Sequence, residues 1–319
     1  MVVTIRPAGL IQYWNCLGSV RRRPQLFKGK AVSLNYMHFQ QIPPPEYLKP
    51  YVRYYWTLEN QSRGDELKTF SAIADGCPGL IFQQLSGTNF YDQDEKKLPA
   101  CFLYGQATGH RELYTPQQFR QIGVYFQPHA LHTVFGMDAG MLTDGCTDLG
   151  GLSRREPFNL PERLLDTPTL QEQINVLSQY LFYLIQQNTL RMDARTQQIA
   201  SYIAGARGDV SLPLLQREVG ISERSLERRF REYIGISPKL FARIGRFQAA
   251  LDRLRGGQYN KLSDIAFEQG YADQSHFIRT FREFAGCSPQ QFHQQSNELI
   301  ENFPERTPIK DAKKEKEKG

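Results

Sequence analysis

Leu212-Pro-Leu-Leu-Gln-Arg-Glu-Val-Gly220-Ile-Ser222-Glu-Arg224-Ser-Leu226-Glu227-Arg228-Arg-Phe230-Arg231-Glu-Tyr233-Ile-Gly235-Ile-Ser237-Pro238 is answered further along by Leu262-Ser-Asp-Ile-Ala-Phe-Glu-Gln-Gly270-Tyr-Ala-Asp273-Gln274-Ser275-His276-Phe277-Ile-Arg279-Thr-Phe281-Arg282-Glu-Phe284-Ala-Gly286-Cys-Ser288-Pro289. An offset of 51 residues lays Leu226 on Phe277, Arg228 on Arg279, Phe230 on Phe281, Arg231 on Arg282, and Gly235-x-Ser-Pro on Gly286-x-Ser-Pro. Gly220 and Gly270 differ by 50, so the second turn carries one extra residue. Each copy parses as a short helix, a turn with glycine, and a second helix opened by Ser222 or Asp273 as N-cap. The turn glycine suits the positive φ that lets the chain leave one helix and enter another. The second helix ends at Gly235 or Gly286, and the following Ser-Pro supplies the next cap and first-turn residue.

Within the second helix of copy one, Leu226, Phe230 and Tyr233 share one stripe, while Arg224, Arg228 and Arg231 lie on the opposite one. In copy two Phe277, Phe281 and Phe284 form the inner stripe, and Gln274, Ser275, Arg279 and Arg282 lie outside it. A buried stripe backed by arginine and amide side chains fits a helix seated in a major groove, where arginine reads guanine and glutamine reads adenine. One such helix could equally be a solvated surface helix; two with the same polarity at a fixed interval favour DNA.

The charge points to the same block. Residues 195–296 carry 15 basic and 10 acidic residues, and 13 of the 15 are arginine, whose planar fork suits phosphate and guanine. Residues 37–194 are acidic on balance, with 12 basic against 17 acidic, whereas residues 1–36 hold six basic and no acidic residues. That N-terminal extension, with Arg21-Arg22-Arg23-Pro24, has no sustained period and is expected to be disordered. It reads either as a basic arm for phosphates or as an upstream extension, since Met37 opens a segment that looks like a natural beginning. The charged tail 297–319 has too little apolar surface to fold.

The pattern Ile-Ser-x-x-Ser-Leu-x-Arg-x-Phe-Arg…Gly-x-Ser-Pro, followed by Ile-Ala-x-x-x-Gly-Tyr-x-Asp-Gln-Ser-His-Phe-x-Arg-x-Phe-Arg…Gly-x-Ser-Pro, resembles the DNA-binding domain of AraC/XylS-type transcription regulators over roughly Thr196–Gln295. The resemblance implies an all-α domain of about seven helices over 194–296, with a linker helix Pro238–Arg255 closed by Gly256-Gly257. It carries base-reading positions over to Arg224, Glu227 and Arg228, and to Gln274, Ser275, His276 and Arg279. Arg231 and Arg282 join them on the outer stripes. Glu227, acidic on a face turned to DNA, either accepts from a cytosine amino group or orients a neighbouring arginine. The implied partners are double-stranded DNA, RNA polymerase, a small-molecule effector and a second copy of the chain.

Between Tyr47 and Phe126 short apolar runs punctuated by glycine and proline (Tyr51–Leu58, Gly79–Leu85, Cys101–Tyr104, Arg120–Phe126) indicate a β-rich domain over 37–165, so the fold class is α+β. Ile122, Val124 and Phe126 alternate with Gln121, Gly123 and Tyr125, as in a strand with one buried face. Leu131, Val134 and Phe135 then take helical spacing, before a glycine-rich loop at Gly145–Gly151. A connecting helix is expected over 166–193, started by Pro168 or by a Thr169/Glu172 capping box. Its stripe Leu170, Ile174, Leu177, Leu181, Leu184 and Ile185 serves either its own domain or a dimer seam. The segments around Pro43-Pro44-Pro45, Tyr55-Trp56, Asp75-Gly76-Cys77-Pro78-Gly79 and Val124–Pro128 are similar to an uncharacterised sensor-like domain that accompanies such regulators.

Cys16, Cys77, Cys101, Cys146 and Cys287 form no C-x-x-C pair, which speaks against structural zinc and against a secreted disulfide framework. With no export signal and no run of the ~20 apolar residues that a membrane span needs, the chain is expected in the cytoplasm and off the membrane. The rival reading is a metal-dependent barrel enzyme fused to a DNA-binding module. Its histidines would have to come from His38, His110, His129 and His132, which lack the spacing of a barrel site, so neither metal nor cofactor is expected. No G-x-S-x-G, G-x-x-x-x-G-K or H-E-x-x-H motif is present, so no catalytic residue is assigned.

Overall fold

The computed structural model describes residues 30–31, 37–61, 68–85, 89–116, 118–150, 158–188, 193–257 and 259–294. Expectations for residues 1–29, 32–36 and 295–319 lie outside the described residues. The first half is built of β1 (Lys30–Ala31), β2 (Met37–Ile42), β3 (Val52–Gln61), β4 (Lys68–Ala72), β5 (Gly79–Leu85), β6 (Cys101–Tyr104), β7 (Arg111–Thr115) and β8 (Gln118–Phe126). A short helix α1 (Ala130–Thr133), a 3-10 turn (Ala139–Leu142) and a strand β9 (Cys146–Asp148) follow. Six strands lie side by side in the order β2-β3-β8-β5-β6-β9, and β1-β4-β7 make a second sheet. The end of the basic extension is tied in, because Lys30–Ala31 pair in parallel with Lys68–Thr69.

Strand β8 corrects the expectation of one buried face. Ile122, Val124 and Phe126 enter a core with Tyr55, Leu80 and Leu103, while Phe119 and Tyr125 enter a second cluster with Trp56, Phe90 and Phe102. The strand is central in its sheet and is covered on both sides, so its polar-looking positions are also buried. The glycine-rich segment at 145–151 likewise contains β9, which adds to the sheet edge by pairing with β6.

Helices α2 (Leu160–Asp166) and α3 (Leu170–Gln187) close over one face of the large sheet. Of the two starts open to α3, Thr169 is the N-cap, but only half of the expected box forms: the Glu172 N–H donates to Thr169 Oγ1 at 3.3 Å, while the Glu172 carboxylate takes the Thr169 hydroxyl at 2.6 Å in place of the cap's backbone N–H. Ile174, Leu177 and Leu181 are buried against the sheet, and Ser178 Oγ lies 2.8 Å from Tyr55 Oη. The apolar stripe of α3 therefore packs on its own domain.

The second half is helical: α4 (Ala194–Gly205), α5 (Leu212–Val219), α6 (Glu223–Ile234), α7 (Pro238–Arg255), α8 (Leu262–Glu268), α9 (Gln274–Ala285) and α10 (Pro289–Gln294). These are the seven expected helices, and α7 has the expected bounds. Ser237 caps α7 by accepting from the Leu240 N–H at 3.1 Å, and Pro238 occupies its first turn. One core holds them together, centred on Phe230, Phe247, Phe277, Phe281 and Phe284, all fully buried. Each such side chain contributes about 1.5–3 kcal/mol by leaving water. Ile73 and Ala74 of the β-rich half enter this same core, so the two halves meet there.

Candidate nucleic-acid interface

Helices α5 and α6 form the first helix-turn-helix, α8 and α9 the second. The caps fall where the repeat places them. Ser222 Oγ accepts from the Ser225 N–H at 3.3 Å, and Asp273 Oδ1 accepts from the His276 N–H at 2.7 Å. Gly220 and Gly270 take φ of +65° and +67° at the turns, the left-handed region that a side chain disfavours.

On α6 the buried stripe is Leu226, Phe230 and Ile234. Tyr233, expected on that stripe, is only half-buried and turns toward the β-rich half, its ring centroid 4.4 Å from that of His132. On α9, Phe277, Phe281 and Phe284 are buried as expected, together with Thr280.

The outer faces carry the anticipated side chains. Arg224, Arg228, Arg231, Gln274, Ser275, Arg279 and Arg282 are exposed, while Glu227 and His276 are half-buried. Arg228 Nη1 lies 3.4 Å from Glu232 Oε2, and Arg231 Nε lies 3.9 Å from Glu227 Oε2. Glu227 thus lies within ion-pair reach of Arg231, one helical turn on. Among the described residues Arg224, Arg279 and Arg282 have no acidic partner, so their guanidinium groups are available to phosphates or bases. His276 sets its ring edge-on to Tyr271 at 5.4 Å, which fixes its orientation at the start of α9.

Other arginines in the block are structural. Arg229 Nη1 pairs with Asp193 Oδ1 at 2.7 Å, and Asp193 in turn caps α4 through Thr196. Burial pushes the Asp193 carboxyl up, but the Thr196 hydrogen bonds and Arg229 outweigh it and hold the group below its usual range. Arg195 donates to Gly220 O at 3.1 Å, and Arg253 grips Glu268 through Nε and Nη2 at 2.8 and 3.0 Å. Charge counting alone does not separate these from the outward set; helical phase does.

Elsewhere the polar groups look inward. His129 Nδ1 is 3.0 Å from Thr133 Oγ1, and burial lowers its pKa. Among the described residues no three of His, Cys, Asp and Glu converge in an arrangement that could hold a metal ion. No described helix is long and apolar enough to cross a membrane. Sequence reasoning missed the contacts that Ala74, His110 and Thr143 make with the ends of α6 and α9, since these residues lie in segments without a period or repeat and His110 was weighed only as a metal ligand.

Residues 215–295 match the family described as a helix-turn-helix domain, and residues 40–148 match a domain of unknown function, DUF6597. An uncharacterized HTH-type transcriptional regulator of Staphylococcus aureus is 30% identical over 112 residues, which are 34% of this chain and 15% of that protein. Another from the same species is 27% identical over 214 residues, covering 60% of this chain and 28% of its own. The chain thus spans well under half the length of these curated relatives. The crystal structure of ToxT from Vibrio cholerae superposes with a TM-score of 0.42 at 11% identity, covering 75% of this chain and 98% of ToxT.

Proposed function

Starting from a helix-turn-helix domain of the AraC type at residues 215–295, we propose that the whole protein is a sequence-specific DNA-binding transcription regulator. Helices α6 and α9 enter successive major grooves of double-stranded DNA, and the β-rich domain receives a small-molecule effector. The observation that carries this reading is the doubled design of α6 and α9. Each has a buried aromatic or aliphatic stripe backed by exposed arginines, with Arg228 and Arg279 at matching positions. A coat for any DNA sequence would need only spread positive charge, and two capped helices at a fixed interval would serve no purpose there.

The base readers in this reading are Arg224, Arg228, Gln274, Ser275, His276 and Arg279, with Glu227 steadying Arg231, and Arg231 and Arg282 at the groove walls. The protein acts in the cytoplasm without catalysis of its own, with RNA polymerase and a second copy of the chain as protein partners. Selection of bound duplexes from a random pool, followed by affinity measurement against random DNA at one stated salt concentration, tests it. The expected specific affinity is about a thousandfold or more above the random one. Equal affinities would sink the proposal.

A further inference from the structure

Gly235 and Gly286 end the two outward-facing helices at equivalent places in the repeat, and the β-rich domain touches the chain at both. At Gly235, φ is +98°, and an added Cβ would stand 2.9 Å from Thr143 Oγ1 and 3.0 Å from Ala139 O. The Thr143 hydroxyl donates to Gly235 O at 2.6 Å. At Gly286, φ is +77°, and a Cβ would stand 2.3 Å from the His110 ring. One residue pair away, the Ala74 N–H donates to Phe284 O at 3.3 Å. The linker is held as well: Gln248 Nε2 of α7 donates to Ala74 O at 2.5 Å, and Gly76 backs onto Ile244 and Phe241.

These contacts use the last-turn carbonyls that a helix leaves without partners. A donor from the β-rich domain supplies what the helix lacks at each end. The side chains assigned to bases sit at the opposite ends or middles of the same helices, in the first turns of α6 and α9 and at Arg228 and Arg279. Docking at the C-terminal ends thus leaves those first turns open, and it sets both helices against the same domain.

We propose that the β-rich domain is a brace that sets the placement of α6 relative to α9, making Thr143, Ala74 and His110 positioning residues for the spacing between the two DNA subsites. The proposal rests on the regulator reading above. An effector bound in the β-rich domain would then act on DNA choice by tightening or loosening these contacts, with no need to reach the DNA.

The test uses the full chain and duplexes carrying the selected sequence with one base pair added or removed between the subsites. The parent is expected to lose about tenfold or more in affinity at either altered spacing, since a one-pair shift misplaces one helix by about 3.4 Å. The double variant Thr143→Val with His110→Ala is expected to bind the natural spacing nearly as well as the parent, and to lose no more than about threefold at the altered ones. An unchanged spacing profile in the variant overturns the brace. Where the double variant fails to fold, each single variant is expected to widen the tolerance by a smaller factor, and unchanged profiles in both overturn it equally. Hydrogen exchange provides a readout free of DNA. In the variant the last turns of α6 and α9 should exchange faster, and unaltered protection there also overturns the proposal. If the full chain selects no sequence, the regulator reading fails while the exchange measurement still decides the brace.

Discussion

Arg228 and Arg279 hold the same place in the two copies, yet their surroundings differ: Arg228 has Glu232 at 3.4 Å, whereas Glu283, the counterpart of Glu232, pairs with Arg243 at 2.5 Å, and among the described residues Arg279 has no ion-pair partner. Replacing either with alanine is expected to cost ~1–3 kcal/mol of specific binding and to relax preference only at the base it reads, measured by affinity across single-base operator variants. Uniform loss across all sequences would make them phosphate contacts. Glu227→Gln should raise affinity for DNA of any sequence, because it removes a negative charge from the face and frees Arg231, and titration at two salt concentrations reads this. A different residue governs pH response. The Asp75 carboxyl is pushed up to about 6, chiefly by burial, against the opposing pull of the Cys77 N–H, Tyr125 and Arg53. The folded state therefore favours the protonated acid. Its contribution to stability is complete below the ordinary value of 3.8 and is lost as pH rises through about 6. In Asp75→Asn that fall should disappear, so the thermal midpoint of the variant should gain on the parent between pH 4 and pH 7; a parallel pair of curves would refute the assignment.

Helix ends are where the sequence was most readable, because caps and turn glycines are local signals. Ser222, Asp273, Ser237 and Gly220 all do what their residue types suggest, and α7 begins and ends at the expected residues. Its 18 residues span about 27 Å, and with the flanking helix ends α6 and α9 are expected to stand about one DNA turn, ~34 Å, apart. Inserting ~5 base pairs between the subsites should carry one of them to the far side of the duplex and drop affinity toward that of a single unit. Unchanged affinity would mean that the two units are not rigidly coupled or that only one of them reads DNA. The glycines give a paired comparison. At Gly220 an added Cβ meets nothing within 4 Å, so Gly220→Ala should cost only the ~1–2 kcal/mol of a left-handed alanine. At Gly235 the same change also drives into Ala139 and Thr143, so its loss in thermal unfolding should be clearly larger. Strands were harder to read. β4, β7 and β9 lack clean alternation, and β8 is buried on both faces, so the period that marks a half-exposed strand is absent or misleading there.

Across the whole molecule, the contacts that join the halves left no trace in the sequence. Thr143 and Gly235 are 92 residues apart, and Ala74 and Gln248 are 174 apart, so neither periodicity nor spacing links them. The tripeptide Asp75-Gly76-Cys77 stood out in the sequence, but only the fold shows that it carries Ala74 against α7 and α9. The helical half nevertheless owns nearly all of its core, with Ile73 and Ala74 the only borrowed members among the described residues. A fragment of residues 190–296 should therefore fold and bind the sequences selected by the full chain, and a folded fragment that ignores those sequences would locate the reading elsewhere. On the proposed reading, the division of each outward helix into a reading start and a docked end also has a practical meaning for engineering. New operator preferences could then be written into Arg224, Gln274 and Ser275 without disturbing the joint to the β-rich domain, whereas grafting a foreign β-rich domain would have to reproduce the surfaces around Gly235 and Gly286 together with those that meet Tyr233, Gln248, Ile244 and Phe241. On that reading, base choice would be edited in the first turns of α6 and α9, and subsite spacing in the β-rich surface that holds their last turns.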